Sequence, residues 1–126
     1  MSRPRSTAEE MVYSARRLIN LLLQKDSGIL PEHRQEALEV PLWKITEAEG
    51  KYAIRFRSSA SLSSPEHKAI HEHVFRIASL AKELVESRPE DVDDLIKKKA
   101  VACIVTEEEH VRLHLDKSLD GWERYR

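Results

Sequence analysis

Apolar residues recur at helical spacing near the start of the chain, which predicts an amphipathic helix there. Its core-facing positions lie three or four residues apart: Met11, Ala15, Leu18 and Leu22. Thr7 and Glu10 are spaced as a capping box, in which each side chain bonds the other's free backbone N–H. Gly28 suits the end of this helix, and Pro31 suits the first turn of a second, short helix over residues 32–38.

The pattern changes after Pro41 to a period of two. Residues 42–46 and 52–57 read as strands, because in the second segment apolar side chains alternate with alanine and arginine. Residues 47–50 between them have the composition of a turn, so the two segments predict a β-hairpin. The serine-rich segment 58–64 is predicted to be an exposed loop.

The longest helical signal covers residues 64–86. Ser64 suits the cap position of this helix and Pro65 suits its first turn. Apolar residues follow on one face: Ile70, Val74, Ile77, Ala81 and Leu84.

Three shorter elements are predicted in the remainder of the chain. Residues 90–98 form a short helix whose acidic residues come early and whose lysines come late, which suits the helix dipole. Residues 101–105 form an apolar strand or core segment. Thr106 and Glu109 form a second capping box, which opens a helix that continues to about Leu115.

The predicted fold is therefore mainly α with a small β-hairpin (α+β), as a single domain over residues 1–126 with a flexible basic arm at residues 1–6. One core must bury the two strongest apolar faces. We expect packing between the first and the longest helix through Met11, Leu18 and Leu22 on one side and Ile70, Val74, Ile77 and Leu84 on the other.

Charge, cysteine content and hydropathy limit the partners and the cellular location expected for this chain. The 126 residues carry 21 basic and 22 acidic side chains, so nucleic acid would be bound only through a local basic patch. Cys103, the single cysteine, lies in an apolar run and is expected to be buried and unreactive. No run approaches the roughly 18 apolar residues of a membrane span, and residues 1–6 lead into a charged helix, so a cytoplasmic location is expected.

Histidines form a first cluster at His67, His71 and His73. On a continuous helix His67 and His71 share a face, whereas residues two apart point about 160° from each other. On an extended segment His71 and His73 share a face, and Glu72 lies on the opposite one. The cap at Ser64 favours the helix.

The second cluster is His110 and His114, four residues apart on the helix that Thr106 opens. Two imidazoles at this spacing can hold one metal ion. The residue after His110 is Val111, so the zinc-peptidase pattern His-Glu-x-x-His is absent. The alternative interpretation is a charged, solvated face with two incidental histidines.

Glu72-His73-Val74 and the segment from Cys103 to His114 together resemble the HNH, or His-Me finger, nuclease superfamily. The resemblance covers under a fifth of the chain. It implies a divalent metal ion, with His73 as the general base that activates water and Glu72, His110 and His114 on the metal side. A histidine near its reference pKa of about 6.5 suits that role at neutral pH.

The sequence also departs from the family pattern. The family's central asparagine has no counterpart, because Asn20 in the first helix is the only asparagine, so a degenerate, non-catalytic relative is one form of this hypothesis. The basic side chains that could hold a nucleic-acid backbone are Arg55, Arg57, Lys97, Lys98 and Lys99. Their alternative role is a solvated surface.

A different class of function is a non-enzymatic protein-interaction module, such as an antitoxin, an immunity protein or a phage-encoded inhibitor. A long amphipathic helix can pair with a partner helix or support a homodimer. Exposed apolar side chains at such an interface would include Leu22, Leu23, Trp43, Trp122 and Tyr125. Convergence of His73 and His110 would favour the nuclease-like function, and separation would favour the interaction module.

Overall fold

The computed structural model describes residues 7–48, 56–63 and 69–125. Six α-helices lie within these residues: α1 (Ala8–Leu22), α2 (Pro31–Glu47), α3 (Ser59–Ser63), α4 (Ile77–Glu86), α5 (Val92–Lys99) and α6 (Glu107–Leu113). Three strands accompany them: β1 (Phe56–Arg57), β2 (Ala69–His73) and β3 (Ala102–Thr106). Two short 3-10 turns cover Pro89–Asp91 and Gly121–Tyr125.

The three strands form one sheet with β3 in the middle. β1 runs parallel to β3, with Phe56 opposite Cys103, and β2 runs antiparallel to β3, with Glu72 opposite the same cysteine. Every residue of β3 is buried. A strand covered on both faces reads as a continuous apolar run. Of the strand and the core segment predicted as alternatives for residues 101–105, the strand is confirmed, with bounds Ala102–Thr106.

The larger core lies among the helices on one side of the sheet, where α2 packs against both α1 and α4. Its buried members are Ile19, Leu38, Leu42, Ile77, Leu80, Ala81, Leu84, Val92, Ile96 and Ala100. A smaller core on the other side of the sheet holds Val74, Cys103, Val105 and Leu113. Each fully buried leucine or isoleucine contributes roughly 1.5–3 kcal/mol of transfer free energy, so the helical layer supplies most of the apolar burial.

The expected packing between the two apolar faces is confirmed only in part. Leu22 packs against the core that holds Ile77 and Leu84. Leu18, however, is 43% exposed, and Val74 belongs to the smaller core. The reason is that Val74 follows a strand, so it does not share a helical face with Ile77.

Both capping boxes are confirmed. The backbone N–H of Thr7 donates to Glu10 at 3.0 Å, and that of Glu10 donates back to the Thr7 hydroxyl at 3.1 Å. The pair of Thr106 and Glu109 repeats this exchange at 2.9 and 3.3 Å. A capping box needs only residues three apart, so sequence spacing was sufficient to locate both helix starts.

The predicted hairpin is wrong in its first arm, although a mainly α chain with a small sheet is confirmed. Residues 42–46 continue helix α2, which contains Pro41. Leu38, Leu42 and Thr46 are buried one helical turn apart, so helix packing overrides the strand-like composition. Residues 49–55, which include most of the second arm and its turn, lie outside the described residues.

The long helix predicted over 64–86 is also wrong. Ala69–His73 is a strand, helix α4 begins only at Ile77, and residues 64–68 lie outside the described residues. Pairing with β3 supplies the backbone bonds that a helix would otherwise make. The predicted serine loop 58–64 is wrong where it is described, because Ser59–Ser63 is helical and Ser61 is buried.

Among the described residues, no helix has the length and apolar character needed to cross a membrane.

Candidate metal centre

The side chains of strand β2 face two different helices. The carboxylate of Glu72 faces helix α6, whereas the rings of His71 and His73 face Trp43 on helix α2. This alternation follows from the two-residue period of a strand. The helical geometry that the cap at Ser64 favoured for the first histidine cluster is therefore wrong, and His71 and His73 have the extended geometry instead.

Glu72 lies between His110 on helix α6 and His114, the residue that caps the end of this helix. Its Oε2 is in hydrogen-bond contact with Nδ1 of His110, and its Oε1 lies 3.1 Å from Nε2 of His114. The two imidazole rings are 4.6 Å apart between centroids. Glu72 is buried, His110 is half-buried and His114 is exposed, so the cluster opens to solvent on the histidine side.

The fold explains this convergence. Thr106 ends β3 and caps α6, so the helix starts directly beside β2. His110 and His114 lie one helical turn apart on the face that meets the sheet. Residues separated by about forty positions in the sequence are thereby brought into contact.

The donor set fits a divalent transition metal. One oxygen of Glu72 and one nitrogen each of His110 and His114 all lie within 4.8 Å of one another. Ligands about 2.1 Å from a shared tetrahedral ion are separated by roughly 3.4 Å, so small side-chain adjustments would suffice. Two imidazoles with one carboxylate form a ligand set of catalytic zinc sites and leave a position for water or substrate.

A buried arginine supports the carboxylate from the C-terminal segment. Nη1 of Arg124 lies 3.7 Å from Oε1 of Glu72, and its Nη2 donates to the carbonyls of His73 and Val74 at 2.6 Å each. The Arg124 side chain is 1% exposed. Arg124 was not among the predicted site residues, because nothing in the local sequence pattern around it indicates a partner fifty positions away.

Close packing holds the segment that carries Arg124. Gly121 has φ of +72°, a conformation that side chains disfavour. A Cβ at this position would lie 2.4 Å from the ring of Phe75. Asp120 next to it accepts a hydrogen bond from the backbone N–H of Arg76 at 2.8 Å, at the start of helix α4. The glycine therefore lets the chain approach the sheet closely enough for Arg124 to reach Glu72.

His73 occupies a different environment. Its Nε2 lies 3.0 Å from the hydroxyl of Thr46, and its ring packs edge-on against Trp43 with centroids 4.1 Å apart. Burial, and secondarily the neighbouring His71, lowers the pKa of His73 to about 4, although Glu72 opposes the shift. The ring is thus neutral at pH 7 and faces away from the three candidate ligands. The side chains of His73 and His110 therefore lie on opposite faces of β2 and do not converge, which is the outcome expected of the interaction module. The role of His73 as a general base stays a prediction.

The described basic residues that were predicted to hold nucleic acid lie on two different elements, β1 and α5. Arg55 lies outside the described residues, and Arg57 is exposed on β1. At the end of α5, Lys98 pairs with Asp94 at 3.0 Å and Lys99 pairs with Glu83 at 2.8 Å, while Lys97 is exposed. Two of the three lysines therefore form ion pairs with neighbouring carboxylates. Nucleic-acid binding by these five residues stays a prediction.

Cys103 is buried opposite Glu72, as expected. Burial, followed by the charges of Glu109 and Glu72, raises the pKa of the thiol to about 11. The thiol is thus protonated at neutral pH. Its slow reaction with a thiol reagent stays a prediction that labelling of the native protein can test.

No protein-family model, curated protein or solved structure matches this chain. The resemblance to the HNH superfamily therefore depends only on the residues quoted for it.

Proposed function

We propose that this chain is a metal-dependent, nuclease-like domain in which Glu72, His110 and His114 hold one divalent metal ion. The observation that carries the proposal is the convergence of these three side chains from strand β2 and helix α6. They offer one carboxylate oxygen and two imidazole nitrogens in a cluster that is buried at its base and open at its rim.

The donor set suits hydrolysis. A divalent ion at such a site would lower the pKa of a bound water toward 7 and stabilise charge that develops on a phosphate. The residues of the chain would orient that ion. Arg124 fixes the carboxylate of Glu72 from the protein side, and helix α6 fixes the two imidazoles one turn apart. The exposed edge of His114 leaves room for a substrate.

A phosphodiester substrate is favoured by the local order of the motif. The resemblance implies that an acidic residue followed by histidine ends a strand and that a later helix supplies a histidine to the metal. Glu72 and His73 are the last two residues of β2, and His110 lies on the helix after β3. This arrangement supports the nuclease-like proposal and leaves the identity of the general base to experiment.

Metal binding is the first test. Isothermal titration with Zn²⁺ and Mn²⁺ should give one site per chain, and Glu72→Gln or His110→Ala should weaken it by about a hundredfold or more, since even outer-shell changes cost 10- to 100-fold. His33→Ala is the matched control, because His33 is exposed on helix α2. Equal affinities in all four proteins would contradict the proposal.

Activity is the second test. Plasmid DNA and RNA are incubated with the full chain and the bound metal, alongside Glu72→Gln and His73→Ala. Cleavage that requires Glu72 supports the proposal, and loss of cleavage in His73→Ala with unchanged metal affinity would show that cleavage depends on His73. Metal binding without any cleavage would reject the enzymatic part and leave the non-enzymatic interaction module that the sequence also allows.

A further inference from the structure

A cavity of about 270 Å³ lies beside the candidate metal centre. Its lining residues are Val105, Glu109, Arg112, Leu113, Arg124 and Tyr125. Arg124 connects the two sites, because the same guanidinium lies 3.7 Å from Glu72. Ligand pockets typically measure about 300–1,000 Å³, so this cavity suits a small group such as one phosphate with part of a sugar.

The cavity has buried hydrogen-bond donors at its wall. Within the described residues, Nε of Arg124 and the hydroxyl of Tyr125 are buried and have no hydrogen-bond partner, whereas Nη1 of Arg124 faces Oε1 of Glu72 at 3.7 Å. Buried donors without an acceptor are rare, because each one loses its water without compensation. Burial also raises the pKa of Tyr125, so its hydroxyl stays protonated and able to donate. A ligand with several hydrogen-bond acceptors would satisfy these donors.

Two arginines of the cavity could contact an anion. Arg112 is exposed at its rim, and Arg124 lies in its wall. The one acidic lining residue, Glu109, already accepts hydrogen bonds from the Ser58 hydroxyl at 2.6 Å and from the Thr106 N–H at 2.9 Å. A metal ion on Glu72 would compensate the remaining negative charge near Arg124.

An aromatic surface continues from the cavity. Tyr125 lies 5.4 Å from Trp122, and Trp122 lies 5.2 Å from Phe56, between ring centroids. Trp122 is 41% exposed and Phe56 is 37% exposed. Exposed aromatic rings beside basic side chains form stacking platforms for unpaired bases. A base inside a duplex cannot reach such rings, because it is already stacked and paired.

We propose that this cavity and its aromatic extension bind one unpaired nucleotide of a single-stranded nucleic acid, with its phosphate on Arg124 and Tyr125 and its base on Trp122. The assignment rests on the proposed function and names the substrate class of that same site. The metal centre would then act on a phosphodiester of a single strand rather than of a duplex.

Fluorescence anisotropy of a labelled 12-nucleotide single strand tests the assignment. The full chain should bind the strand more tightly than the matching duplex, and AMP should displace it. Trp122→Ala should weaken binding by about tenfold, since stacking contributes that much per base. Tyr125→Phe, which keeps the ring and removes only the hydroxyl, should also weaken it several-fold.

Arg112→Gln should weaken binding more than Lys117→Gln, which removes the same charge from an exposed position outside the cavity. Equal losses in these two variants, equal affinity for duplex and single strand, or no displacement by AMP would each overturn the assignment. Measurements in EDTA and in saturating Zn²⁺ separate the two proposals. Variant-dependent binding without any zinc affinity would keep the nucleotide site and reject the metal centre, and zinc binding without nucleotide binding would do the reverse.

Discussion

The two faces of strand β2 bury ionisable side chains in opposite ways. On one face Glu72 is surrounded by groups that can carry positive charge, namely His110, His114 and Arg124. On the other face His73 meets the hydroxyl of Thr46 and the edge of Trp43. Both residues are more than nine-tenths buried, and they are adjacent in the chain.

The two faces differ in the neighbours of the buried group rather than in the depth of its burial. A buried carboxylate is tolerated where cationic or metal partners replace water. A buried imidazole without an anionic partner on its own face is held neutral instead. The first face is therefore suited to bind a cation, and the second is suited to position helix α2 against the sheet.

The largest expected effect comes from removing the cation that supports Glu72. Arg124→Leu should lower the free energy of unfolding by about 3–5 kcal/mol, because it leaves a buried carboxylate without that partner and two carbonyls without their donor. Urea denaturation followed by circular dichroism measures the change. An effect below 1 kcal/mol would mean that Glu72 does not depend on Arg124.

The second face should respond to acid. The pKa of His73 in the folded protein is lowered to about 4 from 6.5. The unfolded chain therefore takes up a proton first as the pH falls, so stability decreases between pH 6.5 and pH 4, by up to about 3 kcal/mol at full effect. Urea midpoints of the metal-free protein measure it. His73→Gln should flatten this part of the pH profile, and an unchanged slope would contradict the assignment.

The first face should respond to metal. Zn²⁺ at a hundred times its dissociation constant should raise the free energy of unfolding by about 2.7 kcal/mol, because only the folded chain brings the three ligands together. Thermal denaturation with and without the ion measures the gain. The gain should vanish in His114→Ala and persist in Thr46→Val, which alters only the other face.

The smallest effect is expected for the contact between Thr46 and His73. Thr46→Val keeps the shape and removes a hydroxyl that contacts the His73 ring and donates to the Trp43 carbonyl. We therefore expect a loss of about 1–2 kcal/mol, at roughly 1 kcal/mol net for each hydrogen bond. The same urea experiment applies. A loss above 3 kcal/mol would show that this hydroxyl supports much more than one imidazole.

Local features of the sequence were predictable. Both capping boxes need only a spacing of three, and β3 is recognisable as a continuous apolar run. The four-residue spacing of His110 and His114 placed both on one helical face, as the structure has them. Glu72 was predicted as their partner from the resemblance to the HNH superfamily, and no sequence spacing indicated it.

Long-range features were not predictable in the same way. The segment carrying Ile70 and Val74 has helical spacing, yet it forms β2 and its flank because β3, thirty residues later, offers an antiparallel partner. Arg124 gave no local signal, since its partners lie near residue 73. The same limit applies to His73, whose environment is set by helix α2.

The pairing of His73 with Ala102 also has a kinetic consequence. Helices α4 and α5 occupy the chain between these two strands, so β2 and β3 can meet only after that whole segment has been closed into a loop. Contacts that close so long a segment tend to form late. A metal ion that joins β2 to the helix after β3 would therefore act on the native state after the folding barrier, and it should slow unfolding far more than it speeds folding.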